Sequence, residues 1–109
     1  SYGSTALTPT ELQALAMDGS AIMAERYPPG KTALDVEKAG AFGEMLAQAL
    51  RQRGFAIEQG RGTPLRYLVD PLDAQAIRLG LLTPDWRSDA LYLRQNGSVT
   101  RQNLTQRID

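Results

Sequence analysis

Between residues 39 and 97 one compact amphipathic helix, stopped by Gly54, is followed by four short apolar runs of strand character. That arrangement constrains the fold more than anything else in the chain. Phe42, Met45, Leu46, Ala49 and Leu50 recur at helical spacing, while Glu44, Gln48, Arg51 and Gln52 occupy the other side. The cations Arg51 and Arg53 suit a helix C-terminus, and Gly54 supplies the stop. A short strand over residues 55–58 comes next, and then a glycine-bearing loop over residues 60–63. Leu65, Tyr67 and Val69 alternate with Arg66, Leu68 and Asp70, and Ile77, Leu79 and Leu81 alternate with Arg78, Gly80 and Leu82; Leu91, Tyr92 and Leu93 form a further apolar segment. Pro71-Leu72-Asp73, Thr83-Pro84-Asp85 and Asn96-Gly97 punctuate these runs, the last being a strong hairpin signal because both residues tolerate positive φ. Residues 98–102 should return as a strand, leaving the tail as an edge strand or a frayed end.

Ahead of this region, Thr8-Pro9-Thr10-Glu11 is a capping box with proline at the first helical position. Leu12, Leu15, Ala16, Gly19, Ile22 and Met23 then trace one stripe, so a helix is predicted over residues 9–27, ended by Pro28-Pro29-Gly30. Residues 31–37 alternate as a half-buried strand. The order is helix, strand, helix, strand and a run of hairpin-linked strands (α-β-α-β-β-β-β). Strands clustered late in a chain pair antiparallel, which predicts an α+β two-layer sandwich with two helices packed on one face of a mostly antiparallel sheet. Residues 1–7 read as a flexible N-terminal linker and residues 8–109 as a single domain; 109 residues suffice for one core and not for two of ordinary size.

Chemistry is scarce. With no Cys and no His, disulfides, thiolate or zinc sites and the Ser-His-Asp and Cys-His arrangements are excluded. Twelve Lys plus Arg balance twelve Asp plus Glu, so no bulk field draws the chain toward nucleic acid or anionic lipid. No apolar run approaches the ~20 residues that span a bilayer. Gly30-Lys31-Thr32 resembles the end of a phosphate-binding loop, but Glu25 stands where that loop needs glycine, and the helix-then-strand context is inverted. Gly60-Arg61-Gly62 lacks the third glycine and the following helix. Asp70 with Asp73 and Asp85 with Asp89 could form acid/base or calcium pairs, yet aspartate is an ordinary turn residue. Asn96-Gly97-Ser98 and Asn103-Leu104-Thr105 match the short glycosylation pattern. No cofactor or metal is expected.

Ten of the twelve cations are arginine, and Arg78, Arg87, Arg94, Arg101 and Arg107 recur through the last third with Trp86 and Tyr92 among them. Such a face either binds single-stranded nucleic acid by stacking and phosphate contact or keeps an outward sheet surface soluble.

Tyr27-Pro28-Pro29 after an alanine-rich helix, residues 41–46 (AFGEML) and residues 49–55 (ALRQRGF) together resemble the TrbH family of bacterial conjugal transfer proteins. Residues 63–70 (TPLRYLVD), 77–81 (IRLGL) and 91–94 (LYLR) extend the similarity. The resemblance implies a mating-pair-formation component of a type IV secretion apparatus, exported to the periplasm and held to the outer membrane by a lipid on an N-terminal cysteine that this chain lacks. It carries no catalytic residues. The expected function is therefore non-enzymatic: protein contacts with other subunits of the channel, with self-association open and a single-stranded nucleic-acid-binding module as the alternative. Aromatic and arginine side chains carry most interface energy, which makes Trp86, Arg87, Tyr92 and Arg94 the candidate contact residues, although Trp86 equally suits a plug for the core.

Overall fold

The computed structural model describes residues 6–109. Helix α1 spans Pro9–Arg26, a single 3₁₀ turn follows at Pro29–Lys31, and strand β1 covers Ala33–Val36. Helix α2 is Ala41–Gln52, and the remaining strands are β2 (Ala56–Ile57), β3 (Thr63–Pro71), β4 (Ala76–Thr83), β5 (Trp86–Gln95) and β6 (Ser98–Ile108). They form one sheet of order β2-β1-β3-β4-β5-β6. β1 runs parallel to β2 and β3, and every later pairing is antiparallel. This is the anticipated α+β architecture.

The helix ends follow from their sequences. The Thr8 hydroxyl accepts from the Glu11 N–H at 3.1 Å and the Glu11 carboxylate accepts from the Thr8 N–H at 3.0 Å, so the capping box satisfies two donors that the first turn would leave orphaned. At the other end of the helical layer Gly54, with φ +104°, lets its own N–H reach the Arg51 carbonyl while the Phe55 N–H reaches that of Leu50. α2 begins at Ala41, two residues later than the periodicity suggests. Gly40 has φ +92° and cannot lie within a right-handed turn.

β5 and β6 are longer than their apolar runs indicate. Ser88 and Ala90 are small and weakly apolar, yet both are 1% exposed because they lie beneath the helical layer, and the register continues from Gln95–Ser98 to Trp86–Ile108. Leu104 and Ile108 thus belong to a full edge strand. A bulge between Leu91 and Tyr92 absorbs Gln102, keeping Tyr92 opposite Arg101.

One core fills the space between helices and sheet: Leu15, Met23, Leu46 and Leu50 from above meet Leu34, Leu65, Ile77, Leu79 and Leu81 from below. Gly43 marks the closest approach of α2 to the β1–α2 connection. A Cβ added there would lie 2.6 Å from the Tyr67 hydroxyl and 2.7 Å from the Glu37 carbonyl oxygen. Gly43→Ala would gain about 1 kcal/mol of helix propensity and lose about 1–3 kcal/mol to overpacking against backbone that cannot give way. The expected net result is a lower thermal midpoint, measurable by circular dichroism.

Candidate contact surface

The alternation of β3, β4 and β5 divides their side chains between two environments. Ile77, Leu79, Leu81 and Thr83 of β4, and Trp86, Ser88, Ala90 and Tyr92 of β5, face the helices and are buried. Their neighbours point the other way, where none of the described elements covers the sheet.

On the covered side most polar groups are paired, the exceptions among the described residues being Arg26 Nε and Ser88 Oγ, which are buried without a hydrogen-bond partner. Trp86 is fully buried; its indole N–H donates to Gln106 Oε1 at 2.9 Å and its ring meets that of Tyr27 edge-on, with centroids 6.2 Å apart. Tyr27 also shares its hydroxyl between Thr83 Oγ1 (2.6 Å) and Asp85 Oδ1 (2.7 Å). That hydroxyl, with Thr83 and Arg26 behind it, holds the Asp85 carboxyl below the usual carboxylate range. Tyr92, 2% exposed, donates to Asp18, which also forms an ion pair with Arg101 Nε at 3.2 Å. Burial, reinforced by the Asp18 carboxylate, pushes the Tyr92 phenol far up, so it stays protonated. Arg94 grips Glu11 with both Nε (2.9 Å) and Nη2 (2.8 Å) and donates from Nη2 to the Ala6 carbonyl at 3.1 Å. The guanidinium, ahead of the helix-cap bonds, holds the Glu11 carboxyl below its ordinary value.

Of the four candidate contact residues, Trp86 and Tyr92 are therefore core residues with no surface to present, and Arg94 is engaged in a nearly buried ion pair. Arg87 alone lies exposed on the open face. The arginines and aromatics that alternate in sequence are separated in space: Arg78, Arg87 and Arg107 lie on one face of the sheet, while Trp86 and Tyr92 lie under the other with Arg94 and Arg101. The aspartates do not converge either. Asp70 pairs with Arg78 at 3.4 Å, Asp73 accepts from the backbone of Gln75 and Ala76 in its turn, Asp85 serves Tyr27, and Asp89 sits on the open face. Among the described residues no cluster of acids could hold a metal ion. The Asn96-Gly97 and Asn103 matches fall on the β5–β6 turn and on β6.

The sequence-derived candidates left out the leucines of the open face. Leu68, Leu72 and Leu82 are 53%, 50% and 41% exposed, with Leu91 and Leu93 half-buried beside them. Cross-strand rows can be read from the register: Arg66–Leu82–Arg87–Arg107, then Leu68–Gly80–Asp89–Thr105, then Asp70–Arg78–Leu91–Asn103. Because Gly80 has no side chain, the middle row dips into a shallow depression of about 330 Å³ walled by Arg66, Leu68, Arg78, Leu82, Arg87 and Asp89. Glu37, at the end of β1, reaches the same face and lies 3.8 Å from Arg66. The signal was present in sequence, since a leucine at alternate positions to a buried set must point outward, but only the one-sided helical layer shows that nothing shields it.

Comparison with known proteins decides the family. The family described as "Conjugal transfer protein TrbH" matches residues 1–107. The chain belongs to the TrbH family. Neither the curated proteins nor the solved structures provide a match. Within the described residues of this TrbH-family chain, no helix is long and apolar enough to cross a membrane.

Proposed function

We propose that this TrbH-family domain is a non-enzymatic component of a type IV secretion (conjugation) apparatus, lying in the periplasm, tethered to the outer membrane in the full-length protein by a lipid anchor outside these residues, and acting through protein contacts that assemble or stabilise the channel. Family membership supports the assignment to conjugal transfer. The observation that carries the contact role is the uncovered sheet face, where Leu68 and Leu82 stand in solvent among arginines and acids. An apolar centre within a charged surround is the layout of a surface made to be covered by protein. Nucleic-acid binding through the same arginines is less well supported, because the aromatics that would stack on bases are buried beneath the opposite face.

A photo-crosslinking residue placed at Leu82 in cells carrying the transfer genes should capture a protein, be it another subunit or a second copy of the chain, whereas one placed at the exposed Gln48 on the back of α2 should capture none. Leu82→Glu should reduce plasmid transfer at least about tenfold, in line with the ~1.4 kcal/mol or more lost when an interface centre is disrupted, with the thermal midpoint unchanged. A Leu82 probe that captures nothing, together with normal transfer by Leu82→Glu, would overturn the contact role.

A further inference from the structure

We infer that the open face of the sheet is a self-complementary surface whose occupant is a second copy of this chain, related by a two-fold axis running parallel to the strands between β3 and β4. The inference rests on the reading of that face as a protein contact and names the partner there.

The geometry follows from the sheet order. The boundary between β3 and β4 is the middle of β2-β1-β3-β4-β5-β6. A two-fold axis lying along that boundary, in the plane of contact, sets β3 of one copy opposite β4 of the other and β1 opposite β5, with each cross-strand row meeting itself. In the middle row, Leu68 then stands opposite Gly80 of the second copy, the most exposed leucine of the rows above the one position without a side chain. In the next row Asp70 faces Arg78 of the second copy. Since Asp70 and Arg78 already pair within each copy at 3.4 Å, the two copies would close an alternating ring of two acids and two arginines. At the other end Glu37 faces Arg87 of the second copy, and Leu82 lies against the aliphatic stem of Arg66 of the second copy.

The distribution of charge favours this pairing over a partner of one sign. Asp35, Glu37, Asp70 and Asp89 stand among Arg66, Arg78, Arg87 and Arg107, with Asp109 beside Arg107, and the charges are unevenly spread: β1 carries acids alone and β4 an arginine alone. Such a surface has little net charge, so it attracts neither a polyanion nor a polycation, yet acids meet arginines once it is turned over. The four long strands, β3 to β6, present about 14 Å by about 27 Å, and β1 and β2 add only short lengths of four and two residues, a modest area at the small end of specific interfaces that suits a dimer dissociating on dilution. Face-to-face sheets about 10 Å apart would place both helical layers on the outside.

Sedimentation of the 109-residue chain over a concentration series tests the pairing. The wild type is expected to run as a dimer that dissociates on dilution. Gly80→Val should weaken the dimer while leaving the fold intact, because a Cβ there would lie 3.4 Å from Asp89 Oδ1, 3.7 Å from the Leu68 Cβ and 3.9 Å from the Ser88 carbonyl oxygen, all at van der Waals distance within the same copy. Glu37→Arg and Arg87→Glu should each weaken self-association by about tenfold or more, as like charges then face each other across the interface. Mixed together, these two variants should recover dimers, since each contact again joins opposite charges, a recovery that a merely structural role would not produce. A chain that stays monomeric throughout, a dimer indifferent to Gly80→Val, or variants that fail to recombine would overturn the pairing. Capture of other proteins at Leu82 by a monomeric chain would leave the contact role standing and remove only the second copy.

Discussion

Trp86→Ala is expected to be among the most damaging single substitutions, costing about 3–5 kcal/mol as a large buried aromatic is replaced by a cavity. Trp86 has no exposed surface, closes the end of the core under Tyr27, and satisfies its N–H through Gln106 on the edge strand. Truncation removes the packing, the edge-on ring contact and a cross-strand hydrogen bond at once. Against a total stability of about 5–15 kcal/mol for a domain of this kind, that loss takes a large share. Urea denaturation followed by circular dichroism would measure it; a change under about 1 kcal/mol would mean that the site collapses around the gap or that the ring is not packed as described. Trp86→Phe, which keeps most of the volume and forfeits the Gln106 bond, should lose distinctly less.

The second large effect concerns Glu11 and Arg94. Glu11 is 3% exposed and the Arg94 side chain 10%, so Glu11→Ala strands a guanidinium with little water to replace its bidentate partner, for a cost of about 3 kcal/mol. Removing both charges should hurt less than removing one, because the desolvation of the pair is relieved along with its attraction; Glu11→Met with Arg94→Met tests this directly. The pair also fixes a direction for acid sensitivity. The folded-state pKa of Glu11 lies below its ordinary 4.5, so the native chain binds fewer protons than the unfolded one in this range. Its contribution is complete above about pH 4.5 and declines as pH falls through the lower folded value. Stability of the wild type should therefore drop with acidification in that window, and Glu11→Gln should flatten the dependence. The lone Trp, Trp86, supplies the fluorescence readout in both proteins.

How much of this was legible from residues alone differs between the two layers. The helices were nearly explicit: a capping box at Thr8 and Glu11, a Pro28-Pro29-Gly30 stop, and a glycine beyond Arg53 act through local backbone geometry that needs no knowledge of the rest of the chain. Strand lengths were not, because Ser88 and Ala90 are buried by what lies above them and not by their own hydrophobicity. The contact residues were the least legible. Trp86 and Tyr92 have the composition of an interface centre, but parity along β5 puts them with Ala90 under the helices, and the same parity turns Arg87 outward. Leu68 and Leu82 alternate with the buried sets of β3 and β4 and so belong to the other side of the sheet; that this side is uncovered follows only from the two-layer fold.

Arg94 has a further consequence. It holds the start of α1, through Glu11 and the Ala6 carbonyl, against a strand flanked on both sides by hydrogen-bonded neighbours. Tension entering the polypeptide ahead of α1 would meet this clamp first and be shared with the pleated layer as shear, before it could unravel the first helical turn. A body built this way resists peeling from its α1 end.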